Sequence, residues 1–108
     1  MQISVTFRHV EPTEAIKKHV EEKVSHIKKY LIKPIDVHVI LSVEKFRHQC
    51  EVVLAEGHFR ATALETDENL YSSIDLALHK IERQVRKHKE IVKEHKNHTP
   101  SREVAFEA

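Results

Sequence analysis

A chain of 108 residues, 40% of them apolar, is long enough for one core closed without disulfides or bound metal. Its 18 basic and 17 acidic side chains nearly cancel, so net charge by itself names no class of partner, while ten histidines take up charge on mild acidification. One cysteine leaves no disulfide framework or thiolate cage, and there is no charged-then-apolar leader or membrane-length apolar run; a soluble cytoplasmic chain without a cofactor is expected.

Ile3, Val5 and Phe7 alternate with Gln2, Ser4 and Thr6, the period of a half-buried strand. Thr13 after Pro12 is a good N-cap, with Glu14 at the positive end of the helix dipole. Ile16, Val20, Val24, Ile27 and Leu31 then form one apolar stripe, which predicts a helix ended by Pro34. A long strand follows, with Ile35, Val37, Val39, Leu41 and Val43 on one side. Cys50, Val52 and Leu54 predict a third strand, and Phe59, Ala61 and Ala63 a fourth, with Glu56-Gly57 as the hairpin turn. Asp67 is the expected N-cap of a second helix carrying Leu70, Ile74, Ala77, Ile81 and Val85 on one face.

The order β-α-β-β-β-α, with one apolar side per element, predicts an α+β fold in which two helices pack on one face of a four-stranded sheet. The domain is expected to span residues 1–96. Residues 97–108, which include Thr99, Pro100 and Ser101 and have no clear period, read as a flexible tail.

Charge is unevenly spread. Seven basic residues against three acidic ones lie between His79 and His98, whereas five acids face only Arg60 between Glu51 and Glu68. This pattern predicts a cationic end and an anionic hairpin end. Lys80, Arg83 and Lys87 share one flank of the second helix, and Arg86, Lys89, Lys93 and Lys96 form another ridge. Two such ridges suit the phosphates of folded RNA, where Arg forks and Lys point charges displace counterions. The plain alternative is a solvated helix with ordinary intrahelical pairs such as Glu82 with Arg86.

Other constellations are thinner. His48, Cys50 and His58 include a thiol and imidazoles, but Cys50 keeps step with inward-facing Val52 and Leu54 and reads as a buried structural thiol. His95 and His98 lack an evident third metal ligand. One glycine leaves no phosphate-cradling loop, and the strands carry no evident stacking platform, so shape and phosphate readout remain. No acid, base and nucleophile converge, so an enzyme is not expected. A protein-interaction module pairing through an exposed sheet edge is the rival reading.

Three stretches carry a resemblance: Thr13-Glu14-Ala15-Ile16 opening the first helix, VILSVEK from Val39 to Lys45, and NLYSSIDLALHKIERQVRKHK from Asn69 to Lys89. On these, and on the element order over about residues 1–96, the chain resembles the ribosome hibernation promoting factor and ribosome-associated inhibitor A family in its short form. The resemblance implies a fold similar in form to double-stranded RNA-binding domains. It also implies a stationary-phase or stress factor that binds the small ribosomal subunit and its RNA between head and body, covers the messenger and transfer-RNA sites, and inhibits translation. By position, the family's basic contacts fall on Lys80, Arg83, Lys87 and Lys89 of the second helix, with Lys23 of the first helix and Lys45 at the end of the long strand; Arg86 joins them from the charge pattern. Tyr71 and Asp75 match the family's Tyr and Asp and read as local packing and helix-start electrostatics. The expected partner is thus the small subunit, with no membrane and no small-molecule substrate, and the free protein is expected to be monomeric.

Overall fold

The computed structural model describes residues 1–32 and 34–97, with side chains through Val92. It contains β1 (Gln2–Arg8), α1 (Glu14–Lys28), β2 (Ile35–Glu44), β3 (Arg47–Glu56), β4 (Phe59–Asp67) and α2 (Leu70–Asn97). The strands form one sheet in the order β1-β2-β3-β4. β1 and β2 run parallel, with α1 as the crossover that a parallel pair needs, and the other neighbours are antiparallel hairpins. The expected α+β arrangement is therefore the one found.

Strand parity and helix stripes meet in one core. Val37, Val39 and Leu41 of β2 and Cys50, Val52 and Leu54 of β3 are all but closed to water. Val20, Val24 and Ile27 of α1 and Ile74, Ile81 and Val85 of α2 cover them. Burial of each such side chain contributes about 1.5–3 kcal/mol, which makes this layer the main source of stability.

Several local expectations need correction. α1 stops at Lys28, well before Pro34: Tyr30 N–H and Leu31 N–H donate three residues back to Ile27 and Lys28, so the last turn tightens and closes the helix. Leu31 still reaches the core, but from the loop. The cap of α2 is Asn69, not Asp67. Asn69 Oδ1 accepts from Tyr71 N–H at 2.8 Å, while Asp67 remains in β4 opposite His48. The turn between β3 and β4 is Gly57-His58, with Glu56 paired to Phe59 and Gly57 at φ 61°, the left-handed position that favours glycine. The proposed tail over 97–108 lies outside the described residues, apart from Asn97, the last residue of α2.

The charge separation is also different from that expected. Phe59, beside the β3–β4 turn, stacks on His88 with ring centroids 4.0 Å apart, so the basic half of α2 lies at the hairpin end. The acids do not gather there. Glu56 is buried and accepts the Ile32 N–H at 2.9 Å, Glu65 pairs with Lys80, and Asp67 and Glu68 sit at the far end of β4.

Candidate nucleic-acid interface

α2 has the buried stripe as its floor, and its basic residues stand to either side. Lys80, Arg83 and Lys87, with Gln84 between them, line one cleft of about 320 Å³ beside β4. Gln84 Nε2 donates to the Thr62 carbonyl at 2.8 Å and ties this flank to the edge strand. Lys80 is also anchored, through an ion pair with Glu65 that the charge pattern alone did not reveal. Arg83 and Lys87 are exposed.

The other flank faces α1. Arg86 lies over the Tyr30 ring, 5.6 Å from its centroid, and 3.8 Å from Glu82 one turn back. The ordinary intrahelical pair is thus present, and it leaves the guanidinium exposed. Lys89 follows three residues on and is half-buried. Lys23 of α1 comes within 3.9 Å of Asp75 across the helix–helix groove. Lys45 stands apart from both flanks, in the turn after β2 and not in the strand itself. The seven expected residues therefore fall in separate places: Lys80, Arg83 and Lys87 on the β4 side of α2, Arg86 and Lys89 along its other flank, Lys23 across the helix groove, and Lys45 at the β2–β3 tip.

Sequence reasoning missed what joins the helices. His19 Nε2 lies 2.6 Å from Asp75 Oδ1, and because a carboxylate can only accept, this nitrogen carries the proton. The Tyr71 ring meets His19 edge-on at 5.0 Å. Tyr71 and Asp75, expected to serve local packing and helix-start electrostatics, instead both contact His19 of α1. The i, i+4 spacing of Tyr71 and Asp75 on α2, and of His19 and Lys23 on α1, was the available signal.

The thiol–imidazole grouping does not assemble. Cys50 is buried, and burial first, then the neighbouring Glu51 carboxylate, pushes its pKa up to about 12. His58 sits in the far turn, about 20 Å along the strand from Cys50. Among the described residues no three His, Cys, Asp or Glu side chains are grouped to hold a metal ion. None of the described helices is long and apolar enough to cross a membrane. The His95–His98 pair lies outside the described side chains.

Residues 3–93 match the family described as sigma 54 modulation protein / S30EA ribosomal protein. The chain belongs to this family. A ribosome hibernation promoting factor of Azotobacter vinelandii is 33% identical over 90 residues, covering 83% of this chain and 84% of the relative. The factor of the same name from Escherichia coli K12 is 33% identical over 95 residues, covering 88% of this chain and all of the relative. Among solved structures, the N-terminal domain of Thermus thermophilus Protein Y superposes with a TM-score of 0.77 at 28% identity, over 82% of this chain and 99% of that one. A ribosomal subunit interface protein from Coxiella burnetii shares the fold with a TM-score of 0.72, over 83% of this chain and 99% of that one.

Proposed function

We propose that this protein is a ribosome hibernation factor that binds the RNA of the small ribosomal subunit and inhibits translation in starved or stressed cells. The observation that carries the reading is the line of Lys80, Arg83 and Lys87 along the β4 side of α2, in a member of a family whose relatives are named for ribosome hibernation. Three cations one turn apart, on a helix held rigid by its core stripe, match the repeat of phosphates along a folded RNA strand. Lys80 is held in place by Glu65, so its ammonium is oriented before RNA arrives. Arg86, Lys89 and Lys23 extend the contact across the helix groove, and Lys45 adds a contact at the sheet tip.

Binding of this kind needs no bond making. A monomer lodged between head and body of the subunit would cover the messenger and transfer-RNA sites and hold the ribosome idle. The test is cell-free translation with purified protein. Wild-type protein is expected to inhibit, and a variant with Lys80, Arg83 and Lys87 all changed to Glu is expected not to. Full inhibition by a folded triple variant would overturn the site.

A further inference from the structure

The end of the sheet remote from the basic half of α2 carries chemistry that the helix ridges do not use. β2 and β3 are joined by a two-residue turn, Lys45-Phe46, with Glu44 paired to Arg47. Lys45 sits at φ 57°, the conformation that the other tight hairpin gives to Gly57 at φ 61°. A lysine here carries a backbone cost that glycine would avoid. The turn nevertheless places a cation at this position, and it holds the next side chain out from the sheet. That side chain is Phe46, 86% exposed, the most exposed aromatic ring among the described residues.

The surroundings of Phe46 are cationic. The register puts Arg8, Ser42 and Gln49 in one cross-strand row, and Glu44 and Arg47 in the next, on the face turned away from the helices. With His9 these residues line a cleft of about 220 Å³ behind the turn. Among the described residues, Arg8, Lys45 and Arg47 have no carboxylate within 4 Å, although Glu44 shares the cleft. An exposed ring flanked by guanidinium and ammonium groups has two complementary needs, a π-face and anions. A nucleotide with its base out of a helix supplies both. Bases within a duplex present only edges, so the ring selects an unpaired one.

We propose that the β2–β3 tip is a second RNA site, where Phe46 stacks on an unpaired base and Arg8, Lys45 and Arg47 hold the phosphates beside it. The proposal rests on the RNA-binding reading above and adds a contact on the opposite face of the sheet from α2. Sequence reasoning set base stacking aside because the strands lack a platform; the ring lies in a turn instead.

Tryptophan is absent from the chain, so Phe46→Trp introduces a single reporter at the tip. Titration with a short oligouridine is expected to quench its emission, as stacking requires. Affinity for purified small subunits is expected to fall about tenfold in Phe46→Ala and in Phe46→Leu, and to be kept in Phe46→Trp. Failure of the wild-type protein to bind subunits would overturn the RNA reading and this proposal together. Subunit binding unchanged in Phe46→Ala, or emission indifferent to oligouridine, would overturn the proposal alone. Binding kept by Phe46→Leu but lost by Phe46→Ala would assign the ring to an apolar contact with a ribosomal protein, and would equally overturn stacking.

Discussion

The Cys50 sulfur lies under the helices with none of its surface open to water, and its pKa is raised to about 12 from an ordinary value of 9.0. Because the folded state holds this proton more tightly than the unfolded chain, the neutral thiol favours folding. That contribution is complete below pH 9 and is lost as pH rises toward 12. A thiol reagent at pH 8 is therefore expected to label the native protein slowly and the denatured protein fast; fast native labelling would place the sulfur at the surface. Lys45 offers a converse case. Replacing it with Gly relieves the left-handed backbone at φ 57° and is expected to stabilise the fold by about 1 kcal/mol, while weakening subunit binding through the lost charge. Thermal melts and binding measured on the same variant would separate the two effects. Asn69 is the third residue of this kind. Asn69→Ala is expected to cost about 1 kcal/mol because it leaves the Tyr71 N–H uncapped, and Asp67→Ala to cost less, a difference that urea denaturation would measure.

At the scale of elements, α2 divides its work around the helix axis. Its buried stripe from Leu70 to Val85 holds it on the sheet, and its flanks carry the cations. Reversing Lys80, Arg83 and Lys87 to Glu removes charges that flank the core without entering it. The triple variant is expected to keep its far-ultraviolet circular dichroism while losing subunit binding, and loss of both would show that the ridge is structural. The stripe was legible in the sequence because helical periodicity is local, and so was the parity that buries Cys50. The ends of elements were less legible. Asp67, the cap expected from sequence, stays in β4 opposite His48, and Asn69 two residues on caps α2. α1 closes early because Tyr30 and Leu31 bond three residues back, in a stretch where nothing but the later proline marks an end.

For the whole molecule, what the sequence could not show is which distant residues meet. Lys80 finds Glu65 because α2 packs on β4, and His19 finds Asp75 because α1 and α2 lie side by side on the same face of the sheet. The same topology brings His88 to Phe59 at the hairpin end, which undoes the simple division into acidic and basic ends. Cations then remain on the flanks of α2 and at the β2–β3 tip, two places on opposite faces of one sheet. Under the proposed function these cations would hold RNA by charge, with strength set by the number of phosphates engaged. The most direct measurement is the sedimentation of purified protein with small ribosomal subunits across a salt series. About six phosphate contacts predict that the logarithm of affinity falls with the logarithm of salt concentration at a slope of about −4 to −5. A flat response would contradict phosphate binding and favour a partner strand pairing along the open edge of β1.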